Sequence, residues 1–274
     1  MALIRRGFTA RYRGLRVKTS VSMPIRCIIE NMNDIIQSLF KRKSVRQFQE
    51  RPISTEEKTL ILESALQAPT AGNQNLYTIL DITDEGLKQS LSVYCDNQPF
   101  IAKAPLALLF LADCRRWYDS YIAAGIEPRP PEKGDLFLAV ADAVIAAQNT
   151  VVAAEALGIG SCYIGDILEQ EEKVREALDL DEYVFPAAFV VYGFPTKGQT
   201  ERVKPGRPPL SYIVQENRYR RLSEKEHKQM FLEKGVIKRE EEFKEYIKAF
   251  YERKYSSGFA KEMNRSASRY LEHF

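Results

Sequence analysis

Beyond residue 32 the chain alternates between helical and strand-like hydrophobic periods. Ile36, Leu39 and Phe40 recur at helical spacing behind Asn33, a residue type that caps helix starts. Pro52 breaks the chain. Ser54-Thr55-Glu56-Glu57 then forms a capping box, and Leu60, Ile61, Ser64, Ala65 and Ala68 continue a second helix that Pro69 ends. The turn-rich stretch 69–75 leads into a strand-like run from Leu76 to Ile82. Pro105 to Ala112 is continuously apolar, as in a strand covered on both faces.

Residues 115–134 interrupt this pattern. Trp117, Tyr118 and Tyr121 precede Pro128, Pro130, Pro131 and Gly134, which predicts an irregular excursion, either a substrate cover or a structural loop. Residues 136–157 form the most apolar helix. Small residues lie all round it, so burial on most faces is expected, and Gly158 terminates it. Ser161–Ile167 reads as a short strand or turn, Gln170–Leu178 as a charged helix, and Phe185–Tyr192 as a strand closed by Gly193-Phe194-Pro195. An extended basic segment, 202–209, follows. From Ser223 the chain is charged and helical, with Phe243, Ile247, Phe250 and Tyr251 on one stripe. Helices and strands mix without strict βαβ alternation, which predicts an α+β fold.

Charge changes the picture. The 274 residues carry 40 Lys+Arg against 37 Asp+Glu, a net of +3. Seven of those cations lie in residues 1–29, which hold no acid; without them, 33 basic residues face 37 acidic ones, a net of −4. The basic balance belongs to a leader, residues 1–31, expected to be flexible or not native. It resembles a transit peptide, while the plainer reading is an upstream start before Met32. A nucleic-acid partner is therefore not expected. The longest apolar runs reach about nine residues before a charge, against roughly 20 for a membrane-spanning helix, so no membrane partner is expected either.

Histidine excludes more. His227 and His273 are the only two, so no HExxH zinc site exists, and residues 1–226 supply no Ser-His-Asp or Cys-His pair. Cys27, Cys95, Cys114 and Cys162 are scattered and form no CxxC, which fits buried thiols in a reducing cytoplasm and predicts no metal site. Gly158, Gly160 and Gly165 miss the GxGxxG spacing of a dinucleotide loop. Two basic clusters remain, Arg42/Lys43/Ser44/Arg46 and Lys204/Arg207. Taken alone each reads as a solvated face; together they could neutralise a phosphate and a second anionic group.

Five motifs occur in order: Arg42-Lys43-Ser44-Val45-Arg46-x-Phe48, Ala68-Pro69-Thr70-Ala71-Gly72-Asn73, Gly158-Ile-Gly-Ser-Cys-Tyr163-Ile164-Gly165, Gly193-Phe194-Pro195, and a Lys204-Pro-x-Arg207 segment. In that order they resemble the nitroreductase family of FMN-dependent oxidoreductases. Residues 213–219 resemble its larger, NADPH-preferring flavin reductase branch. The resemblance implies a three-layer α/β/α fold with a central, mainly antiparallel sheet. It implies an FMN-binding domain over 32–222, and a C-terminal helical extension, 223–274, that takes part in a homodimer. It also implies FMN as cofactor and NADPH or NADH as reductant. Hydride would pass through flavin N5 to a small-molecule acceptor (nitroaromatic, quinone or flavin) in two steps, with no catalytic side chain required.

The same resemblance assigns residues. Arg42, Lys43 and Ser44 would hold the phosphate and ribityl chain, with Lys204 and Arg207 as the second phosphate cluster. Arg46 would sit near flavin N1 and the C2 carbonyl. Pro69, Thr70, Ala71 and Asn73 would reach the partner subunit's FMN. Gln98 would meet the ring edge, and Tyr163, Ile164, Gly165 and Asp166 would form a turn whose backbone faces N5. This chain departs from the family at Asn75, where Gln is frequent, at Gly206, which opens the Lys-Pro-Arg pattern, and at Asp166, whose carboxylate near N5 raises the cost of reducing the ring. That last departure keeps a second reading open: a flavin-binding storage or sensing protein with little turnover.

Overall fold

The computed structural model describes residues 33–274. The basic leader, residues 1–31, and Cys27 lie outside the described residues.

Helix α1 (Asp34–Lys41) starts where the Asn33 side chain accepts the N–H of Ile35. Helix α2 (Thr55–Leu66) starts at the Ser54 capping box, with both reciprocal bonds made. The sheet contains β1 (Tyr77–Asp81), β2 (Leu106–Asp113), β3 (Gly160–Ile164) and β4 (Val184–Gly193), in the order β1-β2-β4-β3, every pair antiparallel. Because side chains alternate along a strand, β2 feeds two cores. Leu106, Leu108 and Phe110 join Ile61 and Ala65 of α2 and the small residues of α6 (Lys133–Ala156). Ala107, Leu109 and Leu111 join Leu91 and Cys95 against α3 (Glu85–Tyr94), Ile101 of α4 (Pro99–Ala102) and Val174 of α7 (Glu171–Leu178). The expected three layers are present.

Three expectations need correction. Residues 115–123 are not irregular but form helix α5 (Arg115–Ala123), supported by the Arg115–Asp119 ion pair one turn apart; the irregular part begins only after it. Helix α6 is not buried on most faces: Phe137 and Leu138 are 69% and 52% exposed, and Val144 and Ile145 continue an outward apolar strip. By length and composition α6 is also apolar enough to cross a membrane, so one window does resemble a span. Its inner face packs on the sheet, as a core helix does. Helices α3 and α4 were not foreseen, although Asp84 caps α3 by accepting the Leu87 N–H at 2.6 Å.

Beyond β4 come α8 (Lys197–Glu201), α9 (Glu224–Glu233), α10 (Phe243–Phe250) and α11 (Gly258–Tyr270). Helix α7 has no side-chain cap of its own. Instead Glu262 and Ser266 of α11 accept the N–H groups of Gln170 and Glu171. Arg265 pairs with Glu172 and Glu262, holding both carboxyls down at about 2. The last helix thus packs on its own chain.

Candidate functional site

Two basic clusters about 160 residues apart in sequence meet beside β3. Residues 42–49 run extended after α1, bridged by Ser44 to Ser161 and by Phe48 to Pro195. Gly160 makes this approach possible: a Cβ there would lie 2.5 Å from Val45 Cγ2. The segment's cations have different tasks. Lys43 Nζ donates to the carbonyls of Thr200 and Arg202, tying α8 to the segment. Lys204 Nζ donates to Leu39 O (3.1 Å) and Phe40 O (2.8 Å), satisfying carbonyls at the end of α1. Gly206 follows closely against Lys234 O, where a Cβ would lie at 2.6 Å, so the residue that opens the motif seats the basic segment on the C-terminal extension.

Arg42 is different. Its Nε is buried without a hydrogen-bond partner. A buried guanidinium donor left unpaired carries a desolvation cost of roughly 1–3 kcal/mol. Lys204 is pushed below its ordinary value by burial and then by the positive charges of Arg207 and Arg42. Three cations therefore act on one another here. Glu155 of α6 feels the same cluster: burial raises it, and Arg42, Lys204 and Lys43 partly offset that rise. A cavity of about 360 Å³ opens beside this cluster, lined by Lys43, Glu155, Gly160 and Thr200 among others. The arrangement suits a multiply charged anion with oxygen acceptors.

From Arg42 the site continues along β3. Burial raises the Cys162 thiol, and Arg46, Ser44 and Arg42 oppose the rise. Arg46 also lies 6.0 Å from the Phe100 ring centroid. Tyr163 is pushed up to about 12 by burial, against the pull of Arg42, and its hydroxyl donates to Gln148. Ile164 is buried at the end of β3, and Gly165 and Asp166 open the 3-10 turn Gly165–Leu168. Gly165 is exposed, with nothing within 4 Å of where a Cβ would stand, so a flat group can approach this turn. Gln98 Nε2 donates to Cys95 O (2.8 Å) and Asp166 Oδ2 (2.6 Å). Its Oε1 is the acceptor left over.

The remaining predicted residues lie elsewhere. Pro69, Thr70, Ala71 and Asn73 belong to a loop held by Asp142 of α6, a carboxylate only 3% exposed. Asp142 accepts the Thr70 hydroxyl, the Ala71 N–H at 2.9 Å and the Leu76 N–H at 3.2 Å. Thr70 Oγ1 in turn accepts the Asn75 N–H at 2.8 Å. Asn73 and Asn75 take positive φ values of 58° and 51°, a conformation Asn tolerates. Helix α5 pins the loop from outside: Trp117 Nε1 donates to Gln74 O and Arg116 to Asn75 O. No hydrogen bond among the described residues joins this loop to the Arg42 strip.

Sequence reasoning missed Asp142, Glu155 and Glu169. Asp142 was visible only as one acid in an apolar helix, and that contrast was the available signal.

The profile of the nitroreductase family matches residues 39–194. An NADPH-dependent oxidoreductase of Staphylococcus aureus is 30% identical over 202 residues, 73% of this chain and 80% of that protein. An FMN reductase (NADPH) of Bacillus subtilis is 32% identical over 190 residues, 69% and 75% of the two chains. The solved structure of the NfrA1 nitroreductase from B. subtilis superposes with a TM-score of 0.72 at 26% identity, covering 87% of this chain and 98% of that one.

Proposed function

The chain belongs to the nitroreductase family, and from that premise we propose that it is an FMN-dependent NAD(P)H oxidoreductase. One observation carries the cofactor assignment: the buried, unpartnered Arg42 Nε beside two further cations, Lys204 and Arg207. That donor set fits a phosphate monoester, and the relative named FMN reductase (NADPH) supports the choice of both cofactor and reductant.

In this reading Arg42, Lys204 and Arg207 hold the phosphate, with Lys43 fixing the backbone around it and Ser44 beside the ribityl chain. Arg46, Gln98 and the turn 163–166 receive the ring. FMN, when bound, supplies the centre that takes hydride from NAD(P)H and passes it to an acceptor. Arg46 places positive charge where reduction builds up negative charge. Gln98, with both amide hydrogens engaged, offers only its carbonyl oxygen, which selects a ring N–H over a ring carbonyl.

The acceptors are nitroaromatics, quinones or free flavin, taken at the same pocket after the nicotinamide leaves. The chain acts as a homodimer, with Thr70, Ala71 and Asn73 reaching the partner's cofactor. The outward apolar strip of α6 supports this, since Phe137, Leu138, Val144 and Ile145 are exposed on one chain. Residues 32–222 form the cofactor domain and 223–274 its extension, contributing to the dimer. The free thiols of Cys95, Cys114 and Cys162 support a cytoplasmic site.

Initial rates with FMN-loaded protein at varied NADPH and quinone test this directly. Parallel double-reciprocal lines are expected. Intersecting lines contradict alternate use of one pocket, and flavin-loaded protein that oxidises neither NADPH nor NADH with any acceptor contradicts the enzyme assignment.

A further inference from the structure

Beneath the turn that carries Gly165 and Asp166 lies a second carboxyl that the proposed function does not use. Glu169 closes this turn, its N–H donating to Asp166 O at 3.0 Å. Its side chain is 4% exposed, and its Oε1 is buried without a partner. The titratable groups that act on it most strongly are all acids. Asp166 comes from its own turn, Asp96 from the loop after α3, and Glu262 from α11. Cys95, buried at the end of α3, is held in its uncharged form first by burial and then by the Asp166 carboxylate. Among the described residues no ion pair involves Glu169; Arg265, the partner of Glu262, is shared between Glu172 and Glu262.

An ionised Glu169 in this place would be a buried charge among three others of the same sign. A proton removes the conflict, because a carboxylic acid can donate where a carboxylate can only accept. Asp166 is within hydrogen-bonding reach of it, and burial, then Asp166, then Asp96 push Glu169 up to about 7. The other side of Asp166 is held by Gln98.

We propose that Glu169 and Asp166 share one proton, which Glu169 carries and donates to Asp166, so that the turn carries one negative charge rather than two. Glu169 is a positioning residue: it fixes the orientation and charge of Asp166 and touches neither cofactor nor substrate. The inference rests on the reading that this turn faces the flavin ring, and it deepens that reading by naming what sets the charge there. When the shared proton is lost, a second negative charge appears beside the ring, and the electron-rich reduced form becomes harder to reach.

Two measurements test this. Infrared or carbon-13 titration of carboxyl groups in flavin-free protein should show one buried carboxyl titrating near neutrality. It should be absent in Glu169→Gln and shifted to lower pH in Asp166→Asn. The potential of bound FMN, followed against pH, should show an extra downward break near that midpoint in the wild type. Glu169→Gln, whose amide still donates to Asp166, should bind FMN equally well and lack the break. A wild type without the neutral carboxyl titration overturns the shared proton. A titration present in flavin-free protein, with potentials that match those of Glu169→Gln at every pH, upholds the shared proton and overturns the placement of the turn beside the ring.

Discussion

The Arg42 strip and the Thr70–Asn75 loop are both irregular segments beside the sheet, and both carry residues the family motifs single out. They differ in how their polar groups are satisfied. The loop is complete within one chain: Asp142 accepts three donors, and Thr70 gives its proton and accepts another. The strip is not. Arg42 keeps a buried donor without a partner, and Lys204 is held below its ordinary value by burial and then by two neighbouring cations. A segment that is satisfied internally contributes to folding; one left short of acceptors is prepared for an anion. The two regions should therefore fail in opposite ways when mutated.

The largest effect belongs to the loop. Asp142→Ala leaves two backbone N–H groups and a hydroxyl without their acceptor in a buried place, and should cost about 3–4 kcal/mol of stability. A lower urea midpoint in flavin-free protein checks this. Asp142→Asn keeps an acceptor and should cost less. Arg42→Ala should do the reverse. It removes a charge-assisted phosphate contact and weakens FMN binding about 100-fold, roughly 2.7 kcal/mol, while flavin-free protein, relieved of an unpartnered buried donor, melts no lower. An Arg42→Ala protein that keeps its flavin on dilution would erase the contrast.

A smaller effect comes from Glu169. Its folded value is raised from 4.5 to about 7, so the folded state binds the extra proton between those limits. Stability then falls as pH rises through that window, and Glu169→Gln does not follow. The difference between the two proteins should grow by about 3 kcal/mol from pH 4.5 to 7.5, read from urea midpoints. The smallest effect is Lys204→Met. It removes one phosphate partner and the donor to Leu39 and Phe40, and should weaken FMN binding about tenfold with slight fraying of α1.

The helix starts at Asn33 and Ser54 were legible beforehand, because a cap is a local signal, while the same signal at Asp84 went unread beside a sequence with few apolar residues. The strands were legible as apolar runs bounded by Pro and Gly. Helix α5 was not, since its aromatic and charged residues hid a helical spacing that Trp117 and Tyr121 carry in fact. The outward face of α6 was not, because small residues all round a helix look the same whether chain or solvent lies beyond them. At the site, motif order singled out Arg42 and Lys204, but nothing local says that Lys43 and Lys204 bind carbonyls or that the Arg42 Nε is buried without a partner. Asp142, Glu155 and Glu169 escaped for the same reason. Their environments are made by residues distant in sequence, and a lone acid in a helix or turn ordinarily reads as a solvated one.

Comparing FMN with riboflavin isolates the phosphate, on which the strip's assignment depends. Flavin-free protein titrated with each, followed by flavin fluorescence at fixed ionic strength, should bind FMN at one per chain and riboflavin at least about 100-fold more weakly. The gap should shrink in Arg42→Ala. Equal affinity for the two flavins, or a gap that Arg42→Ala leaves untouched, would contradict the assignment of Arg42, Lys204 and Arg207 as the phosphate site.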